Sequence, residues 1–384
     1  MQYQPALWPS PQWYLKKFQP DAPVLYFAPD VLQATAKRFL KGFDGFVTYA
    51  VKANDDAAVL DNLISAGIQG FDVASPAEIL KVRAAKQDAV LHYHNPVRSV
   101  DEIAMAVGHG ISSWSVDCSR ELEKLADVPR RDTEISVRLR LPVSGAAYDF
   151  GAKFGADPDQ AVLLLRQARD MGFATSMTFH PGTQCADPQA WAVYIVEAAD
   201  VARRAGVTLE RLNVGGGFAA HRSGQAPDLE AIFDRISAET ARAFGDAAPK
   251  LVCEPGRAMV AEAFTLGLRV KAVRGDGSIF LNDGAYGALT ELRDIGLPDR
   301  VSVVRVDGRA ASGAMTSRVV FGPTCDSLDR LPDPMPLPTD IAEGDYLLIR
   351  AMGAYTASIS TQFNGYGAQD VVTVAAPWEQ VTGI

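Results

Sequence analysis

The feature that most constrains this chain is a rhythm. From residue 45 onward, short runs rich in β-branched and aromatic residues alternate with stretches of helical period. The runs are Phe46–Val51, Gly70–Val73, Ala89–Tyr93, Ser112–Val116, Glu134–Leu139, Ala174–Phe179, Arg211–Val214 and Leu251–Cys253. Between them lie helical patterns such as Ala77–Lys86, Asp101–Val107, Pro158–Met171, Pro188–Ala205 and Leu229–Phe244. This alternation predicts an α/β fold, a (β/α)8 TIM-like barrel over residues 28–260. The working face of such a barrel is built at the C-terminal ends of its strands.

After Arg257 the rhythm changes. Phe264–Val273, Ser278–Leu281, Val301–Val306, Arg318–Phe321 and Tyr346–Ile349 read as strands separated by turn residues, with little helical period. Residues 261–384, together with 1–27, are expected to form a second, all-β domain. Val24–Phe27, just ahead of the barrel, is also compatible with one more barrel strand. The Pro-rich stretch Leu331–Thr339 reads as a loop.

Composition removes several classes of function. Of the 384 residues, 48% are hydrophobic and 22% charged, the balance of a chain that packs a core rather than staying disordered. No apolar run reaches the length of a membrane span, and the start lacks the basic-then-apolar order of a secretory signal. Cys118, Cys185, Cys253 and Cys325 are widely spaced, so neither a metal site nor a disulfide framework is expected, and a reducing, cytoplasmic setting is. A net charge of −9 argues against nucleic acid as a partner and is compatible with a cationic small molecule.

Chemically capable residues gather at the predicted strand ends. Lys52 follows the first run; Asp72 lies in the second, with Ser75 and Glu78 just beyond; His94 and Asn95 follow the third. Arg138 lies in the fifth, His180 closes the sixth, Gly215–Gly217 follow the seventh, and Glu254, Gly256 and Arg257 follow the eighth. A glycine triplet and an arginine after the seventh and eighth strands offer backbone N–H groups and a planar cation, both suited to phosphate. A phosphate site plus a strand-end lysine suggests pyridoxal 5'-phosphate, with Glu254 placed to serve the ring nitrogen and His180 to stack on the ring. Partial burial and nearby cations would favour a neutral, nucleophilic Lys52. Taken singly, each residue has an ordinary explanation: an ion-pair lysine, a tight glycine turn, a satisfied core histidine.

The motifs carry a resemblance. YAVKAN (49–54), GFDVAS (70–75), FHPGTQC (179–185), NVGGGF (213–218), EPGR (254–257), NDGAYG (282–287), GPTCDSLD (322–329) and MGAYT (352–356) span nearly the whole chain. Their order resembles that of the fold-type III pyridoxal-phosphate decarboxylases, the family of ornithine, diaminopimelate and arginine decarboxylases, with the ornithine type nearest. The resemblance implies a barrel plus a β-domain and a homodimer with shared active sites. It makes Lys52 the lysine that carries the cofactor, with Asp72, Glu78 and Arg138 around it and His180 stacked on the ring. It gives the phosphate to Thr183, Gly216, Gly217, Gly256, Arg257 and Tyr355, and the pyridine nitrogen to Glu254. It makes Cys325 the donor that returns a proton after CO₂ leaves, a role open to a thiol whose ordinary pKa is about 8.5. Asp326, Asp294, Tyr286 and Phe363 would meet the substrate.

Aspartate after the cysteine, in GPTCDSLD, resembles decarboxylases of ornithine or lysine rather than of diaminopimelate, which usually carry glutamate there. The expected reaction is decarboxylation of a basic L-amino acid, ornithine to putrescine first, with lysine, dual or diaminopimelate specificity as alternatives. One methylene of reach separates ornithine from lysine, worth only about 1–3 kcal/mol. Asp294 fits the second acid position of ornithine-type enzymes with a one-residue gap, and Glu291 and Asp299 remain alternatives. A racemase is not expected to show GPTCDSLD. A non-catalytic binding homologue would have lost cofactor residues that are present here. The last strand-like run lies close to Ile384, so no counterpart of the degradation tail of animal members is expected.

Overall fold

The structure is a computed structural model that describes residues 6–141, 153–367 and 369–378. The expected placement of residues 142–152 in the barrel, and of 1–5, 368 and 379–384 in the β-domain, lies outside the described residues. The chain divides into two compact units. One comprises Thr35–Ala219 and Pro227–Met259; the other takes the described residues up to Ala34, Ala220–Ala226 and those from Val260 onward.

In chain order, β1 is Val24–Phe27, and the barrel strands are β2 (Phe46–Ala50), β3 (Gly70–Val73), β4 (Val90–Tyr93), β5 (Ile111–Val116), β6 (Glu134–Arg138), β7 (Ala174–Thr178), β8 (Arg211–Asn213) and β9 (Lys250–Cys253). β2 to β9 pair in parallel and in sequence, and β9 closes on β2 through Phe46↔Val252 and Val47↔Cys253. All eight expected strands are present. The helices between them start where the sequence signals a start. Pro158–Asp170 is capped by Asp157 with proline in its first turn, and Ser99 and Glu102 form a reciprocal capping box on Val100–Gly108.

Strand residues alternate in direction, so one parity faces the barrel interior. Inward positions include Thr48, Asp72, His92, Ser113, Glu134, Ser136, Ser176 and Asn213, all buried. At the N-terminal end of the strands, Ser176 Oγ donates to Glu134 Oε2 at 2.6 Å and Arg211 Nε to the same oxygen at 2.9 Å. The opposite parity supplies Phe71, Tyr93, Trp114, Val137 and Met177, each buried, as a barrel strand covered on both faces requires.

The second unit is built on β10 (Phe264–Val273), β11 (Ile279–Leu281), β12 (Val301–Val304), β13 (Met315–Arg318), β14 (Val320–Phe321), β15 (Met335–Pro338), β16 (Tyr346–Arg350) and β17 (Asp370–Thr373). Its main sheet runs β12-β16-β10-β1-β17, with β11 joining β10 to β14. One alternative left open by the sequence is closed and one reading is corrected. β1 is no barrel strand; it pairs antiparallel with β10 and parallel with β17. The stretch Leu331–Thr339 is not all loop, because β15 pairs antiparallel with β13. Their two-stranded ladder tolerates Pro336 and Pro338, where a central strand would lose needed N–H donors.

Candidate active site

A cavity of about 220 Å³ opens at the C-terminal ends of the barrel strands, lined by Lys52, Asp72, Ala74, His94, Asn95, Arg138, Lys153, Phe154, Thr178, Phe179, His180 and Glu254. A larger hollow of about 730 Å³, at the opposite strand ends, is lined by residues such as Asp44, Glu210 and Lys250 and holds none of the motif residues. The smaller cavity therefore has the chemistry.

Each strand delivers its side chain through local structure. Val51–Ala53 turns tightly after β2 and sets Lys52 on the cavity. Lys52 is exposed there, contrary to the expected partial burial, and the groups it faces include the carboxyls of Asp72 and Glu78. Ser75 caps Pro76–Ala85 by accepting from Glu78 N at 3.3 Å, while Glu78 Oε2 accepts from Ala74 N at 2.7 Å. Burial raises the Glu78 carboxyl, against the opposing pull of that N–H and of Lys52.

His180 and the glycine triplet form a second wall. Gly182 N donates to His180 Nδ1 at 3.1 Å, so that nitrogen is bare and the proton of the neutral ring sits on Nε2. Burial first, then Lys52 and Arg138, push this imidazole down to about 3. It is a neutral, flat surface at physiological pH. A Cβ on Gly217 (φ +85°) would stand 2.3 Å from Gly182 O, and one on Gly216 2.6 Å from Glu254 O and 3.4 Å from His180 Nε2. Cys185 N donates to Gly217 O at 2.8 Å and ties the two loops together. Thr183, in the first of these loops, is half-buried. Gly256 packs against β2, where a Cβ would come 3.1 Å from Ala53 Cβ, and Arg257 beside it is buried.

Glu254 is held by two neighbouring side chains, both on Oε1. Burial works to raise its carboxyl, but the His94 ring, with its hydrogen bond at 2.5 Å, and the Asn213 amide outweigh that and hold it at about 2. Asp72 goes the other way. Burial, then the charge of Glu254, raise it well above the usual carboxylate range. Its Oδ1 is buried with no hydrogen-bond partner among the described residues. Arg138 is half-buried and its guanidinium lies 5.3 Å from the Phe154 ring centre.

The remaining candidates lie in the β unit, where Tyr286, Asp326 and Phe363 form a cluster of their own. Tyr286 OH donates to Asp326 Oδ2 at 2.7 Å, and the Phe363 ring lies 5.3 Å from that of Tyr286. Cys325, exposed, gives its N–H to Asn364 Oδ1 at 3.2 Å, with Sγ 3.3 Å from the same oxygen. Asp294 sits exposed on Leu292–Ile295 with no hydrogen bond to Tyr286 or Asp326 among the described residues; Arg293 beside it lies 5.0 Å over the Tyr286 ring. Glu291 is buried, and Asp299 accepts from Gly224 N at 2.8 Å. Tyr355 occupies a left-handed turn (φ 62°) in the loop that Gly353 N anchors to Ala261 O at 3.1 Å.

Comparison with known proteins now decides the family. A family model described as the pyridoxal-binding domain of pyridoxal-dependent decarboxylases matches residues 30–261. The chain belongs to the pyridoxal-dependent decarboxylases. It is 30% identical to the ornithine decarboxylase of Mus musculus over 355 residues, 85% of this chain and 74% of that protein. Against the ornithine decarboxylase of Panagrellus redivivus it is 33% identical over 344 residues, 83% of this chain and 77% of that protein. The solved lysine/ornithine decarboxylase of Vibrio vulnificus, complexed with putrescine, superposes with a TM-score of 0.79 at 26% identity, covering 94% and 96% of the two chains. The Paramecium bursaria Chlorella virus arginine decarboxylase shares the fold, with a TM-score of 0.83, 24% identity and coverage of 92% and 96%.

The family's cofactor fits what is built here. An ionised carboxylate, a neutral imidazole face, a strand-end lysine and an unpartnered Asp72 oxygen line the same cavity. That donor set suits a protonated pyridine with a reactive carbonyl, and the family to which this decarboxylase belongs uses pyridoxal phosphate.

The sequence singles out His94 and Asn95 by position and Asn213 within NVGGGF but assigns them no role, and it does not single out Ser113 or His92. Strand parity was the available signal. Asp283 in NDGAYG and Asp329 in GPTCDSLD are likewise given no role, although they hold the two motif loops of the β unit. Asp283 accepts from Gly284 N and Ala288 N, and Asp329 from Ala285 N and Thr324 N.

Proposed function

We propose that this decarboxylase removes the α-carboxylate of a basic L-amino acid, with ornithine, yielding putrescine, as its main substrate. The observation that carries the proposal is the barrel cavity in which Lys52 shares space with an ionised Glu254 and a neutral His180. The substrate class is supported by the Tyr286–Asp326 pair, which offers a carboxylate for a distal ammonium, and by relatives that are ornithine decarboxylases. Dual lysine and ornithine specificity is the second reading, favoured by the likeness to the Vibrio vulnificus lysine/ornithine decarboxylase.

Pyridoxal phosphate, when bound, supplies the electron sink for the charge left on Cα as CO₂ departs. The chain's residues do the rest. Lys52 holds the cofactor covalently, with Asp72, Glu78 and Arg138 setting the field around it. Thr183, Gly216, Gly217, Gly256, Arg257 and Tyr355 hold the phosphate, and Glu254 keeps the ring nitrogen protonated. His180 offers an uncharged face for the ring. Cys325 returns a proton to Cα, and Asp326 receives the distal amine, with Tyr286, Phe363 and Asp294 beside it. In this reading the barrel is the cofactor domain, and the β unit delivers Cys325 and Asp326 to the site of the second copy in a homodimer.

The test has two parts. Decarboxylation of ornithine, lysine, arginine and meso-diaminopimelate should be measured side by side, and ornithine should have the highest kcat/KM. Borohydride reduction of the loaded enzyme should fix the cofactor on Lys52 by peptide mapping. Preference for a neutral or acidic amino acid, or labelling of another lysine, would overturn the assignment.

A further inference from the structure

Behind the cavity lies a chain of polar side chains to which the roles above give no work. His94, just past β4, brings Nδ1 to 2.5 Å from Glu254 Oε1 and Nε2 to 2.9 Å from Ser113 Oγ on β5. Asn213, on β8, donates Nδ2 to the same Glu254 oxygen at 2.5 Å while its Oδ1 accepts from Gly215 N at 2.9 Å. Both donors therefore fall on Oε1. Among the described residues no hydrogen bond reaches Oε2, although Glu254 lines the cavity.

An ionised carboxylate can only accept, so His94 Nδ1 carries a proton. Ser113 can then donate to a bare Nε2 or accept from a protonated one, and it braces the ring in either state. On the far side, His92 stacks on His94 with ring centres 5.3 Å apart and planes 25° from parallel. Neither His92 nitrogen has a hydrogen-bond partner among the described residues. Burial, then His94 and Arg211, drive His92 far below the usual histidine range, so it is a neutral plate against water.

We propose that His94, braced by Ser113 and backed by His92, is a positioning residue for Glu254. With Asn213 it pins Oε1, so that Oε2 is the oxygen presented to the cofactor's ring nitrogen. The inference rests on the role given above to Glu254. His92, His94 and Glu254 place their ligand atoms within 4.8 Å of one another, a spacing a metal ion also accepts. Here His94 Nδ1 spends its position on an N–H bond, and Oε1 already takes two donors, so the geometry is that of a hydrogen-bonded relay. The other titratable groups facing Glu254 are Asp72, Arg138 and His180, with Lys52 beside Asp72 and His180 and Cys253 next along the chain.

The experiment compares wild type with His94→Ala, His94→Gln, Ser113→Ala and Glu254→Gln. In cofactor-free protein labelled with ¹⁵N-histidine, one Nδ1 proton of the five histidines should resonate far downfield. It should vanish in His94→Ala and move upfield in Glu254→Gln. In the loaded enzyme, His94→Ala should lower kcat about tenfold while KM stays within about twofold. Its acid limb should move up by about one pH unit, because Glu254 loses a donor that stabilises its charge. Ser113→Ala should shift both in the same direction by less, and His94→Gln, which keeps an N–H donor, should recover part of kcat. If His94→Ala does not fold, Ser113→Ala and His94→Gln decide the matter alone. An unchanged acid limb with no downfield proton overturns the proposal. If Glu254→Gln itself leaves the cofactor spectrum and kcat unchanged, the role given to Glu254 has failed instead.

Discussion

Tyr286 donates its phenol proton to Asp326 Oδ2 across 2.7 Å, which ties the NDGAYG loop to the GPTCDSLD loop at the carboxylate proposed to meet substrate. The N–H of Leu328 on Oδ1 and then the Tyr286 phenol lower the Asp326 carboxyl below its ordinary range, so it is an anion at any working pH. Asp326→Ala is expected to reduce kcat/KM for ornithine by roughly thirtyfold or more, and far less for amino acids lacking a distal amine. Tyr286→Phe, which keeps the ring but frees the carboxylate to rotate, should cost about three- to fivefold. Cofactor affinity should be unaffected by either change. Steady-state kinetics on the two substrate types checks this, and equal losses on both would remove Asp326 from substrate recognition.

Those two loops share a second tie. Asp329, buried, accepts Ala285 N at 2.8 Å through Oδ1, and Thr324 N and Oγ1 at 3.0 and 2.8 Å through Oδ2. A Cβ on Gly284 or Gly322 would stand 2.3 Å from Asp329 Oδ1, which explains glycine at both positions. Asp329→Ala leaves three donors without their acceptor and should destabilise the protein by about 3 kcal/mol. Gly322→Ala should be destabilising too, through overpacking. Thermal unfolding of each variant measures the loss. A shift in melting temperature no larger than that of a surface substitution would show that the loops are held elsewhere.

Why some of this was readable in the sequence and some was not follows from particular residues. Barrel strands covered on both faces, such as Ile111–Val116, need apolar or small residues throughout, and that leaves a plain trace. VLYF in β1 is buried throughout, a pattern that fits either sheet, so its neighbours β10 and β17 could not be inferred from it. Met335 and Leu337 in β15 are both buried, but the prolines between and after them masked the alternation. In the site, the strand-end positions of Lys52 and Glu254 could be read from the sequence, and both line the cavity. His94 and Asn213 were harder. Strand parity points them inward, yet their shared acceptor sits on another strand, and only closure of the barrel brings the three together.

His180 gives a pH prediction. Burial, then the Lys52 and Arg138 charges, push its imidazole from an ordinary 6.5 down to about 3 in the folded cofactor-free protein. Between those values the unfolded chain binds a proton that the native state refuses. Stability is therefore lost as pH falls from about 6.5 toward 3, by up to about 1.4 kcal/mol per unit from this one group. Glu254, depressed from 4.5 to about 2, adds a loss below pH 4.5, while Asp72, raised by burial, works in the opposite direction. The comparison must therefore isolate His180. Denaturant unfolding of cofactor-free wild type and His180→Phe between pH 7 and 4 should show a flatter curve for the variant. Parallel curves would mean that His180 protonates freely in the native state.

Shared active sites make the sharpest test of assembly. If Lys52 of one copy works with Cys325 of the other, neither Lys52→Ala nor Cys325→Ala can turn over substrate as a pure homodimer. A mixed dimer of the two contains one site with both defects and one site with none. Random exchange of equal amounts makes half the dimers mixed, so activity should return to roughly one quarter of wild type. The measurement is decarboxylation after mixing, with subunit exchange verified independently, for example by mass spectrometry of differently tagged chains. Exposure of Cys325 on the single chain is what such sharing requires, since a thiol serving a neighbour cannot be buried in its own unit. A mixture that exchanges subunits yet stays inactive would show that one chain supplies both residues to each site.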